Sequence, residues 1–179
     1  MTQNRTLSLI LPAFGAAIIA ALAQIIIPIG AVPITLQTFA VGLVATILKP
    51  REATLAATLY LILGAIGLPV FAGGGGGLQA FFGPSAGYLF AYPFFALVTS
   101  ALAHAKTPIW KIFLAFVLGD ALVFVGGILS LHFLGKMGWS AAVAVGLTPF
   151  IIPDLLKGLI VALVTKPVLK ALKNHSYFN

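Results

Sequence analysis

Two ionisable residues, Asp154 and Lys157, interrupt an otherwise apolar run, PFIIPDLLKGLIVALV at 149–164. Three residues apart, they share one face of a helix. An acid and a base at membrane depth are costly, and where they face the interior they mark a substrate or ion path. The alternative is an ion pair in which each group only neutralises the other, and spacing alone leaves both readings open. Gln37, Gln79, Ser85 and Tyr88 favour the first, because they are expected on the same layer of the molecule, among Phe and Gly. A concave apolar site with a few convergent polar groups suits a small amphiphilic ligand.

A second unusual stretch is LPVFAGGGGGLQAFFGPSAGY at 68–88, with five consecutive glycines from Gly73 to Gly77. Each glycine costs a helix about 1 kcal/mol relative to Ala, so this stretch is a loop. No Lys-Ser or Lys-Thr follows it, which argues against a phosphate-cradling loop. Gly73, Gly74 and Gly75 instead allow the backbone to approach a flat ligand while leaving amide groups free. A flexible outer loop without a ligand is the competing reading.

Asp120 falls about 12 residues into an apolar segment, near mid-membrane, where an ionised carboxylate is expensive. A protonated carboxyl, a hydrogen bond to a neighbouring helix and a coupling path are all compatible with it, and a structural role is favoured. His104, His132 and His175 are scattered, with no spacing that suggests a metal, and no Ser lies beside a His partner as a triad would need. Cysteine is absent, which excludes disulfides, thiolate metal sites and Cys nucleophiles. No cofactor motif is present.

The elements that position these residues follow from composition. Of 179 residues, 61% are hydrophobic and 7% charged, and the mean hydropathy is +1.15. Such a chain is an integral membrane protein, with spans of roughly 20 apolar residues. The formal charge of +7 comes from Lys and Arg placed singly at segment ends, which reflects membrane topology and not nucleic-acid binding. Six spans are expected, at about 6–27, 36–48, 53–66, 85–103, 109–134 and from 148–153 to 164, forming one domain over 1–179. The first apolar run is too long for the core of a signal peptide and reads as a retained span. PIGAVPIT at 28–35 is a short connection, 136–146 is a weakly apolar one, and Tyr92 with Pro93 is expected to bend the fourth span.

With six spans, Arg5, Lys49, Arg51, Lys106, Lys111, Lys166, Lys170 and Lys173 share one side against Lys136 alone on the other. That bias puts both termini in the cytoplasm. PIGAVPIT, the glycine loop and the start of the last span then gather on the outer face. In the first span, Ala16 with Ala20 and Ala17 with Ala21 are small residues four apart, a spacing that permits close helix approach. Alanine is also simply common in such helices.

ITLQTF at 34–39, GLPVFAGG through GPSAGYLF at 67–90 and PFIIPDLLKG at 149–158 resemble the BioY family, the biotin-specific substrate-binding (S) components of energy-coupling factor (ECF) transporters. The resemblance covers most of the chain in order and spacing. It implies an all-α membrane protein of six transmembrane helices with S-component architecture, not an enzyme, in the cytoplasmic membrane of a prokaryote. It further implies capture of biotin from outside and partnership with a transmembrane coupling subunit and two cytoplasmic ATPases. In the family the small-residue motif of span 1 docks on the coupling subunit, which maps onto Ala16, Ala17, Ala20 and Ala21. The Asp-x-x-Lys motif contributes to the biotin site and matches Asp154 and Lys157, with Asp154 accepting a ureido N–H and Lys157 donating to the ureido carbonyl or the valeryl carboxylate. Loop 1 is expected to be the lid. Where some relatives carry an amide residue before span 4 this chain has glycines, so Gln79 or backbone groups are left to make that contact.

Overall fold

The computed structural model describes residues 2–29, 32–103, 107–172 and 177–178, with side chains from Thr6 onward. The side chain of Arg5 and residues His104, Lys106, Lys173 and His175 lie outside the described residues, as do Gly30 and Ala31 of the first connection. The helices are α1 (Thr2–Leu22), α2 (Gln37–Ile47), α3 (Pro50–Ala65), α4 (Ala86–Leu102), α5 (Ile109–Phe133), α6 (Trp139–Gly146) and α7 (Ile151–Leu172). A short hairpin of β1 (Ile26–Ile27) and β2 (Ile34–Thr35) separates α1 from α2.

Six of these helices fall on the six expected apolar segments, and the departures have local causes. α1 stops at Leu22 because the isoleucines that follow are β-branched and pair in the hairpin instead. The connection at 136–146 is not all loop: it holds α6, whose run of Ala and Val satisfies its own backbone in apolar surroundings. α7 does not end near 164 but continues through Lys166 and Pro167 to Leu172. Pro50 opens α3 and Pro108 directly precedes α5, positions where a missing N–H costs nothing. Among the described residues, α5 alone is long and apolar enough to cross a membrane by itself, and α6 with α7 passes the same test as a pair bent by 42°.

The bundle is apolar outside as well as inside. Leu9 is 77% exposed, Ile152 70% and Leu118 56%, while Thr46, Thr99, Ser100 and Thr165 are buried. Buried hydroxyls serve as inter-helix ties: Thr46 bonds Thr165 at 2.8 Å, Thr99 donates to Ala115 O at 3.1 Å and Ser100 to Leu48 O at 2.5 Å. This is the distribution of a membrane protein, where burial of oily surface cannot drive association and close packing must.

Glycine supplies that packing. α4 and α5 cross at Gly87 and Gly126, where a Cβ on Gly126 would lie 2.5 Å from Gly87 O and 3.3 Å from Ala91 Cβ. The Phe116 ring lies against Gly42 of α2 and Gly158 of α7 and meets Phe95 edge-on, with centroids 5.2 Å apart. At one end Tyr177 folds back into the core, its hydroxyl accepting the Lys49 N–H at 3.1 Å, and burial pushes its phenol up to about 12. At the other end His132 stacks on Trp139, with centroids 3.9 Å apart, and pins the α5–α6 corner.

The glycine loop is held, not free. Phe71 N–H donates to Gly75 O at 2.9 Å, closing a tight turn through Gly73 and Gly74, both at positive φ. Gln24, just past α1, donates its amide to Ala20 O at 2.9 Å, Val70 O at 3.3 Å and Phe71 O at 3.4 Å. At the α4–α5 crossing, Gly126→Leu should lower the melting temperature of the detergent-purified protein by roughly 2–12 °C, as overpacking of about 1–3 kcal/mol dictates. Gly138→Ala, where the added methyl meets nothing within 4 Å, should leave it unchanged.

Candidate ligand site

A cavity of about 380 Å³ opens between the hairpin, the glycine loop and the ends of α2, α4, α5 and α7 that face them. That size falls in the range of ~300–1,000 Å³ typical of small-ligand pockets. Its wall is mostly apolar and aromatic, with Phe71, Tyr88, Tyr92, Phe124 and Phe150 around it. Phe71 is fixed by edge-on contacts with Tyr60 at 5.4 Å and Phe81 at 5.6 Å, so the ring is pre-positioned.

The polar side is a compact triad. Lys157 Nζ donates to Asp154 Oδ1 and, at 3.0 Å, to Thr38 Oγ1; the Thr38 hydroxyl in turn donates to Asp154 Oδ1 at 3.1 Å. Asp154 is 4% exposed, Lys157 7% and Thr38 7%. Because Asp154 Oδ1 takes both bonds, its second oxygen has no bond to the described residues and remains available. α2 and α7 are joined at this triad, so the charged pair is held by a neutral hydroxyl from another helix.

Gln37 is 5% exposed, with both its amide oxygen and its amide nitrogen bonded. Its Nε2 donates to Tyr60 Oη at 2.5 Å, and its Oε1 accepts from Thr35 Oγ1 at 3.0 Å. Tyr88 donates its hydroxyl to Gly146 O at 2.7 Å, which fixes the ring on the wall and ties α4 to α6.

Comparison with known proteins bears on this geometry. Residues 1–174 match the BioY family. The biotin transporter BioY2 of Lactococcus lactis subsp. cremoris (strain MG1363) is 43% identical over 180 residues, covering 99% of each chain. The chain belongs to the BioY family. The biotin transporter BioY of Thermotoga maritima is 40% identical over 142 residues, 79% of this chain and 83% of that one. Among solved structures, the crystal structure of the S-component for biotin from an ECF-type ABC transporter matches with a TM-score of 0.87 at 27% identity, covering 100% of this chain and 99% of that one.

Within this BioY chain, Asp154, Lys157, Gln37, Gly75, Gln79, Ser85 and Tyr88 all line the cavity. Gly73 and Gly74 do not: they turn outward, toward Ile26 and Gln24, and Gly76 takes the inner position beside Gly75. Gln79 is exposed and donates its amide to Gly76 O at 2.6 Å, bracing the loop. The alanines of α1 also separate by face. Ala16 is fully buried in the core and unavailable to a partner, and Ala20 is half-buried; only Ala17 and Ala21 point outward as a pair. Asp120 is buried on α5 outside the cavity lining.

Thr38, Tyr92, Phe124 and Phe150 are lining residues that sequence reasoning did not assign to the site. Thr38 stands next to Gln37, but its contact with Asp154 joins residues 116 positions apart, and nothing local encodes that pairing. Thr38→Val keeps the shape and removes the hydroxyl. It should cost about 1–3 kcal/mol of stability by leaving buried charged groups short of a partner, while Thr38→Ser should restore most of the loss in denaturation of the purified protein.

Proposed function

We propose that this chain is the S component of an ECF-type transporter and binds biotin in the cavity between the glycine loop and the Thr38–Asp154–Lys157 triad. The observation that carries the reading is the pairing of an aromatic wall with a buried acid and base in one cavity. Biotin requires both: a fused bicyclic ring to be enclosed, and a ureido group and carboxylate to be hydrogen-bonded. The free oxygen of Asp154 accepts a ureido N–H, and Lys157 donates to the ureido carbonyl or the valeryl carboxylate. Charge-assisted bonds are about twice as strong as neutral ones, and an apolar cavity screens them less than water does.

The same reading sets six spans in the cytoplasmic membrane of a prokaryote, formed by α1 to α5 and by α7, with α6 on the outer side. The charge bias of the sequence supports cytoplasmic termini, an outward-facing cavity and a hairpin lid. A coupling subunit and two ATPases then supply the energy, and the exposed Ala17 and Ala21 on α1 offer the coupling subunit a surface that a second helix can approach closely.

Biotin titration of the purified protein tests the ligand and its residues together. Asp154→Ala and Lys157→Ala should each weaken biotin binding about 10- to 100-fold, the loss expected for a buried charge-assisted bond. Unchanged affinity in both would remove these residues from the site, and a different vitamin outcompeting biotin would remove biotin as the ligand. Ala17→Leu with Ala21→Leu should leave biotin affinity intact and abolish co-purification with the coupling subunit.

A further inference from the structure

Asp120 is an ionisable group buried among the helices that ligand binding, as described above, leaves unused. It lies on α5 one turn from Val123 and Phe124, both of which line the cavity. It is 5% exposed, and its Oδ1 has no hydrogen-bond partner among the described residues. The ionisable groups acting on it are Asp154 and Lys157 of α7 and Tyr92 of α4. α4 also carries Tyr88, on the cavity wall, and Tyr60 of α3 lies behind Tyr92, with ring centroids 6.5 Å apart. α2 and α6, which also pack on α5, contain no ionisable residue.

Charge balance gives this carboxyl a role. Lys157 is already shared between Asp154 and Thr38, so Asp154 and Lys157 together sum to zero. An ionised Asp120 adds an unbalanced negative charge close to the cavity, in surroundings where such a charge is expensive. A ligand carrying a carboxylate brings another. The anion and a proton on Asp120 therefore favour each other, and the coupling is reciprocal: whatever the proton adds to ligand affinity, the ligand adds to proton affinity.

We propose that Asp120 is a proton-binding site linked to the ligand cavity, so that an anionic ligand is held together with a proton on this carboxyl. No covalent step is involved; a proton from solvent is retained or taken up as the ligand enters. This inference rests on the biotin reading only in requiring an anionic ligand.

The test is biotin affinity of the purified wild-type protein between pH 6 and 9, where the ligand carboxyl is ionised throughout. Calorimetry in two buffers of different ionisation enthalpy counts the protons exchanged. Wild-type affinity should fall with rising pH, by up to about tenfold per unit for a single linked proton. Asp120→Asn, which resembles the protonated carboxyl in shape and charge, should hold the low-pH affinity across the range. Biotinamide, which lacks the carboxylate, should show a weaker pH dependence in the wild type. A wild-type affinity independent of pH would overturn the proton site, and this arm needs no variant to fold. An equal pH slope in folded Asp120→Asn would also overturn it, by assigning the proton to Lys157 or Asp154. Absence of biotin binding at every pH would instead refute the biotin reading.

Discussion

The contact on which the cavity depends is the bond of Thr38 to the Asp154–Lys157 pair. A carboxylate and an ammonium buried together gain from each other, but the gain survives only if the remaining donors and acceptors are also met. A third, uncharged partner from α2 answers that need without adding charge, and in doing so it fixes where α2 sits against α7. The hydroxyl is thus both part of the cavity wall and a clamp between helices. Thr46 and Thr165 repeat the arrangement two turns further along the same pair of helices, this time with no charge involved.

Around that junction the bundle relies on shape. α4 and α5 touch backbone to backbone at Gly87 and Gly126, and the Phe116 ring fits against glycines on two different helices. A glycine in an isolated helix is a weakness. At these crossings it gives dispersion contacts that a larger residue would block, which matters where no hydrophobic drive exists between helices. The same residue type therefore has opposite roles in this chain: close contact between helices, and tight turning in the loop from Gly73 to Gly77.

What the sequence made legible divides along physical lines. Segment positions, the helical face shared by Asp154 and Lys157, and the loop character of the glycine run all follow from local rules of period, propensity and charge. The partners across helices did not follow. Thr38, beside Gln37, does not stand out, because a threonine in an apolar segment carries no mark of what lies opposite. A loop's inner and outer faces depend on its turn geometry, which places Gly75 and Gly76 on the cavity and turns Gly73 and Gly74 away from it. Ala16 and Ala17 are indistinguishable in sequence, yet a rotation of about 100° separates a core position from an exposed one. The stretch at 25–27 read as the end of a span, because a run of three isoleucines is equally apolar as a helix end or as a strand.

Among the described residues, the hairpin between α1 and α2 is paired through two residue couples, Ile26 with Thr35 and Ile27 with Ile34, extended by the Leu36 N–H bond to Ile25 O. Yet Val32, Pro33 and Thr35 form one wall of the cavity. The helices that form the other walls are locked by buried side chains and continuous backbone bonds. Parting them would cost a large share of the global stability, whereas peeling away two strand couples costs only a local opening. The cavity therefore has a cheap hinge side and an expensive frame. On the biotin reading proposed above, that thin seam is where release of a bound molecule meets the least resistance, so a substitution there would change residence time while leaving the unfolding temperature as before.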